Sequence, residues 1–221
     1  NEQSAAIDLL AEAKNGKLNW TPSTGDWEVI EVGYKIKPDS HDAMNPKFGQ
    51  KIIEKYYQRF EDQLPGRMGQ GFNIFDHDEE GWFWIDGPVW NDYFADAFTK
   101  RHGYDIKPYL GALFEDIGPV TPKIRLDYWD THSWLMQESY FKPISKWIDQ
   151  RGMMHWIDHA GRGEYPVEFG NYMAAVRWLT PGMDQWGTEK NVVKDKLSSS
   201  LTHLYDRRRA WLEGNHSIGW D

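Results

Sequence analysis

Four short apolar segments of this chain each run into acidic or imidazole side chains, and stretches of helical periodicity separate them. Phe72–Phe75 leads into Asp76, Asp78, Glu79 and Glu80. Met153–Ile157 leads into Asp158 and His159, Met183–Trp186 carries Asp184, and Ala210–Leu212 delivers Glu213 with His216 close behind. Strands that alternate with helices pack as a parallel sheet covered by those helices. Parallel strands end on one face, so the polar residues at their ends converge there. The expectation is an α/β fold, a TIM-barrel-like (β/α)8 catalytic domain. A closed barrel needs eight strands and about four are legible, so the chain is expected to hold only part of the barrel.

Residues 1–34 read as an N-terminal helix and β-hairpin leading into this partial barrel, which takes up 35–221. In Glu2–Lys14, Ile7, Leu10 and Ala11 share a helical face, and Asn15-Gly16 supplies a stop. Leu18–Trp20 and Trp27–Tyr34 then read as strands joined by the turn-rich TPSTGD. A helix is predicted from Asn45, with Pro46 at its first position and Ile52, Ile53, Tyr56 and Phe60 on its apolar face, to about Leu64. Further helices are predicted over Pro88–His102, Asp105–Phe114, Thr121–Arg151, Val167–Leu179 and Glu189–Arg208. Arg207, Arg208 and Arg209 sit at the end of the last of these, where cations favour the negative pole of the helix dipole.

Composition narrows the function. With 25 basic against 34 acidic side chains the formal charge is −9, which argues against nucleic acid or an anionic membrane as partner, since both demand basic patches. No apolar run approaches transmembrane length. Cysteine is absent, which excludes a disulfide framework, thiolate zinc sites and a cysteine nucleophile together. The 13 Trp and 11 Tyr are many for 221 residues. Most serve a core, but large rings with a polar tip also suit surfaces that hold sugars, whose C–H faces are apolar.

Chemistry concentrates in FNIFDHDEEGWFW, residues 72–84. Asp76, Asp78, Glu79 and Glu80 repel one another when ionised, and the aromatic wall of Trp82, Phe83 and Trp84 raises the cost of charging any that are partly buried. A bound cation or a shared proton offsets such a cost; a solvated acidic turn is the plain alternative. Two carboxylates from different strands, Glu79 and Glu213, suit cleavage of a glycosidic bond, one protonating the leaving oxygen while the other activates water or attacks the anomeric carbon. A gap of roughly 6.5–9.5 Å predicts inversion and about 5–5.5 Å retention.

Asp76, Asp78 and Glu80 are oxygen donors of the kind that hold calcium. Trp82, His159, Asp184 and His216 are candidates for contacting a sugar, although His159 suits a structural role equally and Asp184 a helix cap. His155 and His159 lie four apart, but on a strand that spacing makes no helical zinc face. Ser198, Ser199 and Ser200 lack the GxSxG elbow of a serine hydrolase. Three readings result: a glycosidase, a noncatalytic carbohydrate-binding protein on the same scaffold, and a metal-dependent hydrolase or lyase using the Asp/His cluster.

Taken together, LNWTPSTGDWEVIEVGY, HDAMNP before a helix, FDHDEE with its aromatic segment, FTKRHGYDIKPYL, FKPISKWIDQRGM and SSSLTHLYDRRRAWLEGNHSIGW resemble family 106 of the glycoside hydrolases, the α-L-rhamnosidase family, from about Leu18 to Trp220. The resemblance implies a (β/α)8 catalytic domain within a larger polypeptide and calcium-assisted, inverting hydrolysis of a terminal α-L-rhamnoside or related sugar. It also implies periplasmic or extracellular location in bacteria that degrade polysaccharide. Carried over by position, it makes Glu79 the general acid, Glu213 in WLEGNHSIGW the base, and Asp42 and Asp76 substrate or metal candidates.

Overall fold

A computed structural model describes residues 6–36, 41–77, 88–157, 182–184, 192–207 and 209–213. In chain order its regular elements are a short 3-10 helix (Leu10–Glu12), β1 (Ala13–Lys14), β2 (Lys17–Leu18), α1 (Phe48–Ile52), a π-helical turn (Ile53–Tyr57), α2 (Gln58–Gln63), β3 (Ile74–His77), α3 (Phe94–His102), a second 3-10 helix (Lys107–Leu113), α4 (Thr121–Met136), a second π-helical turn (Gln137–Phe141), α5 (Lys142–Asp149), β4 (Met154–Ile157), β5 (Gly182–Asp184), α6 (Val192–Leu204) and β6 (Trp211–Glu213). Two compact units are formed, one from Asn1–His41 with Trp90–Thr131 and the other from Asp42–Val89 with His132–Asp221.

In the first unit the expected N-terminal helix is reduced, over its described residues, to the single 3-10 turn at Leu10–Glu12. Ala13 pairs antiparallel with Leu18 and Lys14 with Lys17, around Asn15 (φ 55) and Gly16 (φ 71). Positive φ at both central residues is the geometry of a tight hairpin turn, so Asn15-Gly16 joins strands instead of stopping a helix. The helical face had nothing to bury against, since Ile7 and Leu10 are 50% and 77% exposed, and short isolated helices are marginal in water. The hairpin therefore falls at 13–18, and 27–34 has no regular secondary structure. TPSTGD is held by its flanking indoles, with Trp20 and Trp27 edge to face at 5.3 Å and Trp27 Nε1–H donating to the Ser23 carbonyl at 3.0 Å.

The helices of this unit follow the periodicity. Pro88–His102 is helical from Phe94 onward, and Gly103 (φ 78) closes it. Phe94 stacks on Tyr128 at 4.8 Å, and both are fully buried with Phe98 and Ile106. The predicted helix at Asp105–Phe114 forms as the tighter 3-10 type.

The second unit positions the strands that matter for function. Asp42 Oδ1 accepts the Met44 N–H at 3.1 Å, and Asn45 Oδ1 accepts the Lys47 N–H at 3.0 Å. These turns delay the helix expected from Asn45 until Phe48. The π turn then rotates the buried face by one residue, so that Tyr57 is fully buried while Tyr56 is 48% exposed. Tyr57 packs edge-on against Phe75 at 4.7 Å, and Phe75 meets Phe60 at 5.3 Å and Phe72 at 4.9 Å.

The long predicted helix exists as α4, a π turn and α5, and α1 crosses that turn in backbone contact. A Cβ at Gly49 would lie 2.6 Å from the Ser139 carbonyl oxygen, and Ser139 Oγ–H donates to the Met44 carbonyl at 3.0 Å. Arg151 clamps α2 to the end of α5, donating to both Glu61 oxygens at 2.8 and 2.7 Å while stacking 3.6 Å over the Trp147 ring. That bidentate contact holds the Glu61 carboxyl below the usual range.

The parallel pairing expected from strand–helix alternation is present. β3 pairs in parallel with β4, Ile74 opposite Met154 through His77 opposite Ile157. β5 pairs in parallel with β6, and β4 and β5 come within 8 Å of one another between Cα atoms. No closed barrel is formed among the described residues. The predicted helix at Val167–Leu179 lies outside them. The last helix ends at Leu204, short of the expected Arg208, because Asp206 turns left-handed (φ 49) and the Arg207 N–H folds back on the Thr202 carbonyl at 2.9 Å.

His132 is fully buried, and burial pushes its imidazole down to about 4. Folded His132 thus stays neutral while the unfolded residue, at about 6.5, takes up a proton. The sign follows: its contribution is fully present above pH 6.5 and is lost as the pH falls towards 4, about 3 kcal/mol across that window. Urea unfolding at pH 7 and pH 4.5 should show the loss in the wild type and a flatter dependence in His132→Gln. Equal slopes would remove His132 as the cause.

Candidate active site

The described strand ends bring three of the sequence-predicted residues onto one set of adjacent strands. Asp76 is the third residue of β3, register-matched to Trp156 of β4, and is exposed to solvent. Asp184 is the last residue of β5 and Glu213 the last of β6, and the two are direct register partners. Parallel neighbours lie about 4.8 Å apart, and register partners share a face of the sheet. Two acids far apart in sequence are therefore neighbours at the carboxyl ends of parallel strands, where ligands of α/β proteins bind.

Asp42 takes another position. It precedes α1, half-buried, where its carboxylate serves the turn that opens the helix. Asp78, Glu79, Glu80, Trp82, His159 and His216 lie outside the described residues. His155, weighed as a zinc ligand, stands on a strand as expected, buried, with its Nε2 3.3 Å from the Tyr57 hydroxyl. Trp20, Trp27, Trp90, Trp129, Trp134, Trp147 and Trp156 are each half-buried, and none of these seven is among the buried core residues, where most of the tryptophans were expected.

Asp76 offers the hard oxygen chemistry that calcium requires. Among the described residues no group of three His, Asp or Glu side chains is arranged to hold a metal ion.

Two features were not anticipated. His77, the last residue of β3, falls opposite Ile157 at the same strand-end level; its place inside FDHDEE was the signal for it. In the first unit Asp127 gathers Tyr104 Oη–H at 2.7 Å, the Lys123 ammonium and His102 Nδ1 at 3.6 Å. Burial opposes its ionisation, but the bonds from Lys123 and Tyr104 outweigh that and hold it below the usual carboxylate range. The same surroundings push the Tyr104 hydroxyl well up, burial first and the Asp127 bond second. His102 Nε2 lies 3.0 Å from Thr131 Oγ1, and Arg101 pairs with Asp130 at 2.6 Å. Every member of this cluster is satisfied by another, which fits a clamp between α3 and α4.

Acids at the carboxyl ends of parallel strands stand where ligands of α/β proteins bind, and comparison with known families gives the class. A family model described as alpha-L-rhamnosidase matches residues 2–214, nearly the whole chain, so the protein is a glycosidase. It belongs to glycoside hydrolase family 106, the alpha-L-rhamnosidase family. No curated protein matches the chain significantly. Among the described residues no helix is long and apolar enough to cross a membrane.

Proposed function

We propose that the protein hydrolyses terminal α-L-rhamnosides, or a closely related sugar, with inversion at the anomeric carbon. The observation that carries this reading is the placement of Glu213 at the carboxyl end of a parallel strand in a chain that matches the alpha-L-rhamnosidase family over residues 2–214. Glu79 is the general acid, giving its proton to the glycosidic oxygen as the bond breaks. Glu213 is the general base, drawing a proton from the water that attacks the opposite face of the ring. Trp82, His159, His216, Asp184 and Asp42 hold the sugar, the indole against its C–H face and the polar groups on its hydroxyls.

Asp76, Asp78 and Glu80 would hold calcium, which when bound offsets their mutual repulsion and presents a positive charge to sugar hydroxyls. The reading places these residues on a (β/α)8 scaffold completed by the remainder of a larger polypeptide, exported to the periplasm or the cell exterior. Proton NMR of an aryl α-L-rhamnoside digest tests the mechanism. Inversion releases β-L-rhamnose first, before mutarotation; α-L-rhamnose as the first product would assign a covalent intermediate and a nucleophilic carboxylate in its place.

A further inference from the structure

Residues 28–36 of the first unit carry the pattern of a strand but are paired as none. They run without turn, bend or left-handed residue, and among the described residues none of their backbone groups bonds to another part of the backbone. A chain in that state presents free N–H and C=O groups to any strand that comes alongside. Ile30, Val32, Tyr34 and Ile36 alternate with Glu31, Gly33 and Lys35, so in a paired strand the two sets take opposite faces. One end is anchored, since a Cβ at Gly111 in the 3-10 helix at Lys107–Leu113 would lie 3.0 Å from Ile30 Cδ1. Beyond the anchor Tyr34 and Ile36 are 75% and 77% exposed, an apolar row left in water.

The charges say which strand fits it. Glu31 and Lys35 stand two residues to either side of Gly33. A second copy running antiparallel about a twofold axis at Gly33 therefore sets each Glu31 opposite the other copy's Lys35, each Val32 opposite Tyr34 and each Ile30 opposite Ile36. Parallel in-register pairing would oppose glutamate to glutamate and lysine to lysine, and an antiparallel slip of one residue would set Glu31 against Tyr34 or Ile36. The axis itself is open, because a Cβ at Gly33 meets no heavy atom within 4 Å. We infer that 28–36 is a self-complementary docking strand through which two copies of the chain join edge to edge. Pairing over so short a segment buries less than the roughly 1,200 Å² of a stable interface, so the dimer is weak, with a Kd on the order of 10–100 μM.

Sedimentation equilibrium of the full chain at rising concentration tests it, with far-UV circular dichroism to confirm folding. The wild type should dimerise, Glu31→Lys should raise Kd about tenfold by opposing like charges at two places, and adding Lys35→Glu should return it to within about threefold of wild type. The difference should shrink in about 1 M salt. The chain has no cysteine, so single thiols report the register. Gly33→Cys should form a disulfide-linked dimer on mild oxidation, since partners across an antiparallel pair lie within disulfide reach. Glu28→Cys, about 33 Å from its own counterpart in this register, should not. A chain that stays monomeric at several hundred micromolar overturns the inference, leaving the row to a different partner. A dimer indifferent to both charge reversals, or one that cross-links equally at both thiols, overturns it in favour of another surface.

Discussion

Glu213→Gln is expected to lose at least about 1,000-fold in kcat, close to 4 kcal/mol of transition-state stabilisation, while still binding the sugar. Gln matches Glu in size and hydrogen-bonding reach, so nothing in the packing of β6 has to change; what disappears is the capacity to take a proton. KM should stay within a few-fold of wild type, because the loss falls on a step after binding. Molar azide should restore turnover, since it attacks without needing a base, and inversion requires that it yield β-L-rhamnosyl azide. A variant within tenfold of wild type on an unactivated substrate would show that Glu213 is not the base.

Gly69→Ala is expected to be the most damaging small substitution in the second unit, costing about 3–5 kcal/mol. Gly69 adopts φ +73, and a Cβ there would lie 2.1 Å from the Arg151 carbonyl oxygen. The atom it meets is backbone, just ahead of β4, and cannot rotate away. The Gly69 N–H also donates to the Phe72 carbonyl at 2.8 Å, and the Met154 N–H to the Asn73 carbonyl at 2.8 Å. The crossing thus fixes the approach of both chains into the β3–β4 pair and so the place of Asp76. Gly66 supplies the control, since it has the same φ but no heavy atom within 4 Å of its Cβ position. Gly66→Ala should cost only about 1 kcal/mol, the conformational part alone. Equal losses in urea melts would mean that the clash is relieved elsewhere.

The long helical stretches were legible because their buried residues recur on one face. Ile124, Tyr128, Leu135, Tyr140 and Ile144 are all buried as their spacing required. The five-residue step from Leu135 to Tyr140 is the trace of the π turn at Gln137–Phe141, where the chain takes one extra residue to return to the same face. The turn at Ile53–Tyr57 left no such trace, and the apolar face was assigned to Tyr56 when Tyr57 fills the core. Asn15-Gly16 was ambiguous for a similar reason, since the same two residues end a helix or join two strands. Burial of the preceding segment decides between these, and in Ile7 and Leu10 it is missing.

Among the site residues, Asp184 and Glu213 were visible singly, each as an acid at a strand end. Their adjacency was not, because 28 positions of chain separate them and register depends on how the intervening helix packs. The sequence by itself determined the alternation of strands and helices, the acids placed at strand ends and the family of the chain. All of these are local patterns, written in residue types and their spacing. Only the tertiary structure decided which acid stands beside which, which tyrosine supports the sheet and where the backbones cross, since these follow from packing between segments distant in the chain, where close-packed side chains admit few arrangements.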